Sequence, residues 1–237
     1  MGLVGHLEEL RKRIFVCLAA LGIAAVLLFF QGRILLAFLE SSAQGAVTDF
    51  IFITPTEAFG TYVKVVLLSA FIVSFPVLLY EFWAFIAPAF SRASRPIIFL
   101  WLVLAVVCFY GGIIFSYVVL LPAALHFLLG FAQGIARPMI SIGQYISFAA
   151  TLILIGGCVF EIPVVLGLLT EAGVLKPAHL RSGRRAAVLI ILIIAAIVTP
   201  TQDAVNLALF AVPMVALYEV GILLSALVEK RRNNLKT

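Results

Sequence analysis

The chemistry open to this chain rests on a few acids set beside bases or inside apolar runs. The segment Gly5-His6-Leu7-Glu8-Glu9-Leu10-Arg11-Lys12-Arg13 holds two carboxylates followed by three cations. On a helix Glu8 reaches Lys12 and Glu9 reaches Arg13 at i,i+4, pairs that contribute about 0.2–0.5 kcal/mol each. The alternative is a carboxylate site at a membrane surface for a cationic partner. Glu161 stands deep in an apolar run. Ionised there it costs several kcal/mol unless it meets water or a partner, so it is a functional candidate. The plainer alternative is a protonated acid donating one interhelical hydrogen bond. Glu81 and Glu219 lie nearer the ends of their runs, within reach of water or of loop arginines. The polar turn Thr199-Pro200-Thr201-Gln202-Asp203 either joins two helices in a stubby hairpin that thins the bilayer or is an ordinary turn in which Asp203 caps the next helix.

Enzymatic and metal chemistry find little support. His6, His126 and His179 fall in separate segments and cannot share one site. There is no His-Glu-x-x-His, no Gly-x-Ser-x-Gly and no phosphate-binding glycine loop. Cys17, Cys108 and Cys158 lie inside apolar runs without metal-ligand spacing and read as small buried hydrophobes. No cofactor is expected.

The elements that position these residues are membrane spans. Apolar residues make up 64% of the 237 residues and charged residues 11%, against roughly 25% charged in a soluble domain. A bilayer solvates such surface directly. Charge punctuation and apolar runs predict an all-α integral membrane protein, a single domain over 1–237. The six predicted spans cover about 14–30, 65–87, 97–121, 145–169, 186–198 and 205–228, preceded by an interfacial segment 1–13 whose Leu3, Leu7, Leu10 and Ile14 share one helical face. The fifth and sixth spans are expected to be short. No cleavable signal peptide is expected, since no small-residue cleavage site follows the first apolar run. Of the 16 Lys and Arg residues, thirteen fall in the amino terminus, the second and fourth loops and the carboxyl terminus, and three (Arg33, Lys64, Arg137) in the other loops. The positive-inside rule then places both termini in the cytoplasm. The same clustering reads the net charge of +5 as topology rather than nucleic-acid binding. Thr54-Pro55-Thr56-Glu57 is a capping box that starts the second helix before its span. Pro122 falls at a predicted helix end, while Pro76, Pro163 and Pro213 fall inside spans and are expected to kink them.

In this order the motifs resemble the TatC family, the core receptor subunit of the twin-arginine protein translocase. The resemblance is carried by His6-Leu7-Glu8-Glu9-Leu10-Arg11, Pro55-Thr56-Glu57-Ala58-Phe59, Trp83-Ala84-Phe85-Ile86-Ala87-Pro88-Ala89, Phe115-Ser116-Tyr117 with Pro122, Phe160-Glu161-Ile162-Pro163, Thr199-Pro200-Thr201-Gln202-Asp203 and Pro213 to Glu219. It implies binding of signal peptides with consecutive arginines and export of folded proteins on the protonmotive force. The implied setting is the bacterial inner membrane, with TatA/TatB-type single-span subunits and further copies of this chain as partners. By resemblance Glu9 and Arg11 match the recognition segment, with Glu8 beside them, and Phe85 and Pro88 match the loop side of the site. Glu161 matches the intramembrane acid and Asp203, after Gln202, the acid of the last external turn. The first cytoplasmic loop departs from the pattern. It reads Ser91-Arg92-Ala93-Ser94-Arg95-Pro96, with Ser94 where the family usually carries a glutamate. Glu8 or Glu81 is left to supply a second carboxylate. A small-molecule secondary transporter is the competing reading, since kinked helices and a midplane acid also suit one, but no inverted repeat is present. An intramembrane hydrolase is disfavoured by the scattered histidines.

Overall fold

The computed structural model describes residues 3–43, 47, 50–86, 95–131, 139–198 and 204–234. Among these the chain is almost entirely helical, and it divides into two compact units: Met1–Val106 with Gly134–Ala150, and Val107–Gln133 with Thr151–Thr237.

In the first unit α1 (Leu3–Phe29) and α3 (Pro55–Ile86) lie antiparallel. The Tyr62 hydroxyl donates to the Phe29 carbonyl. Ser74 Oγ donates to the Ala20 carbonyl at 3.2 Å, and Arg13 meets the last turns of α3. The interfacial segment and first span are thus one continuous helix. Phe15, Leu18, Ile23 and Val26 of α1 stand 57–65% exposed, a surface suited to lipid rather than water. The short α2 (Gly32–Ser41) follows. Gly32 faces the Tyr62 ring so closely that a Cβ would overlap it, so only glycine lets α2 begin there.

Helix α3 starts at the expected proline, and Glu57 supplies its half of the capping box. Glu57 Oε2 accepts from the backbone N–H of Ile53 at 2.7 Å and of Thr54 at 3.4 Å. The Thr54 hydroxyl instead lies 3.4 Å from the Thr56 hydroxyl. The other oxygen of Glu57 accepts from the Ser141 hydroxyl and, at 2.9 Å, from Gly143 N–H. These hold β2 (Ile140–Ser141) and the start of α6 (Ile142–Phe160) against α3. A parallel pairing of β1 (Phe50–Ile51) with β2 is an addition to the all-α expectation. The Tyr145 hydroxyl donates to the Leu39 carbonyl at 2.6 Å and ties α2 to α6.

In the second unit, the latter part of α4 (Arg95–Phe115) runs through a π-helical turn, Ser116–Leu120, into α5 (Leu121–Phe131). The third span was expected to stop near 121, but the helix continues for another ten residues. Pro122 cannot donate to the carbonyl four residues back and its ring crowds that turn. Widening the preceding turn to π geometry relieves the conflict without ending the helix. The latter parts of α4 and α6 touch at glycines: a Cβ on Gly112 would lie 2.5 Å from the Gly156 carbonyl oxygen. Close backbone approach at small residues is a common membrane packing mode.

Pro163 breaks its span. α6 ends at Phe160, Glu161 forms a turn, and α7 (Ile162–Glu171) begins with proline in its first turn. Helices α3 and α10 (Ala204–Asn234) run on through Pro76 and Pro213. α7 closes at Gly173, whose φ of 79° suits glycine and lets Val174 N–H bond the Leu169 carbonyl at 2.9 Å. It packs along α10, which also contacts α5, α8 (Pro177–Ser182) and α9 (Arg184–Val198). The Tyr218 hydroxyl donates to the Leu180 carbonyl at 2.9 Å.

Among the described residues five helical stretches are long and apolar enough to cross a membrane: Gly5–Phe29, Pro55–Phe85, Phe99–Gly130, Ile142–Glu171 and Leu207–Arg231. α9, with 15 residues, spans about 22 Å against a hydrocarbon core of about 30 Å. The shortness expected of spans five and six belongs to α9 alone, because α10 is 31 residues long.

Candidate functional site

The first turns of α1 and the last turns of α3 bring together acids far apart in sequence. Glu9 and Arg13 are one helical turn apart and share a face. Across from them α3 presents Glu81, the Ala84 carbonyl and Phe85. The Arg13 guanidinium lies at the centre. Its Nη2 is 2.6 Å and its Nε 3.2 Å from Oε1 of Glu9, its Nη1 is 2.8 Å from Oε2 of Glu81, and Nη2 also donates to the Ala84 carbonyl at 3.1 Å. The side chains of Arg13, Glu9 and Glu81 are only 23%, 24% and 14% exposed. Charge-assisted bonds in such half-buried settings are the strong ones. Beside the cluster the His6 ring stacks on Phe85, with centroids 4.4 Å apart and planes 18° apart.

The fate of the sequence candidates divides cleanly. The Glu9–Arg13 pair forms, and Glu81 joins it rather than a loop arginine. Glu8 and Arg11 are exposed, and the Glu8–Lys12 pair is absent among the described residues. Phe85 lies at the site through His6. Arg95 opens α4, with its side chain outside the described residues, as are Pro88, Arg92, Ser94, Gln202 and Asp203. Glu161 occupies the break between α6 and α7. Its Oε1 is buried with no hydrogen-bond partner, so this atom makes no interhelical bond among the described residues. Glu219 pairs with Arg184 at 2.7 Å, as expected for an acid near loop arginines. Among the described residues no group of His, Cys, Asp and Glu is arranged to hold a metal ion.

The sequence reading missed three participants. Arg13 was seen only as a helix-surface partner of Glu9, and its bond to Glu81 spans 68 positions, beyond any local spacing rule. His6 gave no signal apart from its place in the amino-terminal motif. Glu57 was read as a cap, yet it also fixes Ser141 and Gly143.

Long apolar helices, with charges gathered at their ends and at one helix break, define a polytopic α-helical membrane protein. The family model described as Sec-independent protein translocase protein (TatC) matches residues 5–213. The chain belongs to the TatC family. It is 36% identical over 241 residues to Sec-independent protein translocase protein TatC of Aquifex aeolicus (strain VF5), covering 100% of this chain and 99% of that one. It is 33% identical over 231 residues to the protein of the same name from Carboxydothermus hydrogenoformans, covering 98% and 95%. Its fold is similar to a crystal structure of the twin-arginine translocase receptor TatC, with a TM-score of 0.83 at 35% identity over 94% of this chain and 99% of that chain.

Proposed function

We propose that this protein is a non-enzymatic receptor subunit of a twin-arginine translocase, binding signal peptides with two consecutive arginines through Glu9 and Glu81. Membership of the family supports the general role. The observation that carries the site is the Arg13 guanidinium gripped by both carboxylates, which supports the reading that this pair chelates an arginine. Arginine suits such a fork and lysine, a point charge, does not. Glu81 thereby supplies the second acid that Ser94 cannot. Phe85, His6 and the loop residues Pro88, Arg92, Ser94 and Arg95 flank the peptide, with Arg11 and Glu8 on the exposed face of α1.

The proposed setting is a bacterial inner membrane, with six spans, α9 the fifth, and both termini cytoplasmic. The protein acts as one membrane domain in a complex with TatA/TatB-type single-span subunits and further copies of itself. Glu161 and the turn at Gln202 and Asp203 serve transport steps after recognition.

The test is photo-crosslinking from position 9 to a two-arginine signal peptide, with a two-lysine peptide as control. Crosslinks selective for the arginine peptide are expected. Equal yields from both peptides contradict the site.

A further inference from the structure

Arg13 occupies the place that a signal-peptide arginine needs. Its guanidinium takes one oxygen from each of Glu9 and Glu81 and adds the Ala84 carbonyl. That is a complete chelate, built from within the chain. The second carboxylate oxygens, Glu9 Oε2 and Glu81 Oε1, accept no bond among the described residues. Two acids and one guanidinium leave these three side chains one negative charge in excess, with one oxygen of each acid already taken by Arg13.

We infer that Arg13 is a resident competitor: the recognition carboxylates are closed by an intramolecular arginine, and a signal-peptide arginine binds by displacing it. This inference rests on the recognition role proposed for Glu9 and Glu81. Three features favour exchange over simple addition. Arg13 already takes one oxygen of each acid together with the Ala84 carbonyl. It is one turn from Glu9 on the same helix, so its effective concentration at the site is permanently high. The cluster is only partly exposed, and a second guanidinium placed beside the first repels it.

A resident competitor scales every ligand alike. The apparent Kd equals the intrinsic Kd divided by the open fraction of the site. An occupancy of about nine-tenths, for example, would weaken binding about 10-fold for arginine and lysine peptides together. The ratio between them stays with the carboxylate fork. Arg13 therefore raises the concentration at which either peptide engages and leaves the preference between them to the carboxylates.

The experiment measures binding of a synthetic two-arginine signal peptide and its two-lysine counterpart to the full-length protein in detergent, for the parent, Arg13→Gln, Arg13→Lys, Glu9→Gln and Glu81→Gln. Arg13→Gln is expected to tighten both peptides about 10-fold with their ratio unchanged. Arg13→Lys, which keeps the charge and loses the fork, falls between it and the parent. It also keeps the test alive where Arg13→Gln does not fold. Weaker or unchanged arginine-peptide binding in both Arg13 variants overturns the inference, and Arg13 is then a brace that holds the acids apart. If the Glu9→Gln and Glu81→Gln variants still lose affinity, the recognition reading survives that result. If no variant at positions 9, 13 or 81 alters binding, both fail together.

Discussion

A carboxylate at position 81 changes what position 94 has to be. The acids that converge on Arg13 are Glu9 and Glu81, so Glu81→Gln should weaken binding of a two-arginine peptide much as Glu9→Gln does. Loss of one charge-assisted bond costs on the order of 1.5–3 kcal/mol, roughly 10- to 150-fold in Kd. Ser94→Glu should then add little while Glu81 is present and should rescue part of the loss in Glu81→Gln; titration of the peptide at low and high salt checks both. Glu161 is proposed to act in a later step. Glu161→Ala should lower translocation in cells at normal protein level and leave peptide affinity unchanged, because Glu161 is not among the groups that converge on Arg13. Full transport by that variant would make the acid merely structural. What sequence could show at this scale was the Glu9–Arg13 pair, since i,i+4 spacing on a helix is local geometry. The arrival of Glu81 was open only as one of two alternatives, because it depends on how α1 and α3 are aligned, which no spacing within either helix encodes.

Among the elements, those with local causes were legible and those with tertiary causes were not. Pro55 and Glu57 announced the start of α3, as backbone donors at a helix start need such partners. Pro163 announced a kink, and the helix breaks beside it. Pro122 misled, because a proline is equally compatible with a helix end and with a π turn, and only the neighbours decide. The glycine contact between α4 and α6 was invisible for the same reason. It yields an ordered prediction for thermal unfolding in detergent. On Gly156 a Cβ meets the buried Ser116 side chain, with the Ser116 Cβ at 2.9 Å, whereas on Gly112 it meets the Gly156 carbonyl and Gly157 Cα. Overpacking of this kind costs about 1–3 kcal/mol. Gly112→Ala should therefore destabilise more than Gly156→Ala, since backbone cannot swing aside. Ser116→Gly should rescue Gly156→Ala and leave Gly112→Ala unimproved.

For the whole molecule the thirteen-to-three division of basic residues predicts which loops face which side. Single cysteines at positions 49, 134 and 202 should react with an impermeant reagent applied to intact cells, and those at 94 and 176 should not. Labelling of position 176 from outside would reverse the topology. Composition made membrane residence legible, but the division into two units follows from contacts between distant segments and left no mark in the pattern of apolar runs. The pairing of α1 with α3 carries a mechanical consequence. The two helices are clasped at three heights, through Tyr62 and Phe29, Ser74 and Ala20, and Arg13 with Glu81. Sliding by one turn, about 5.4 Å, would separate the partners of every clasp. A slip along the axes therefore costs all three contacts rather than one. The pair therefore resists a small displacement of the amino-terminal end at three places at once, so α1 and α3 are expected to move together.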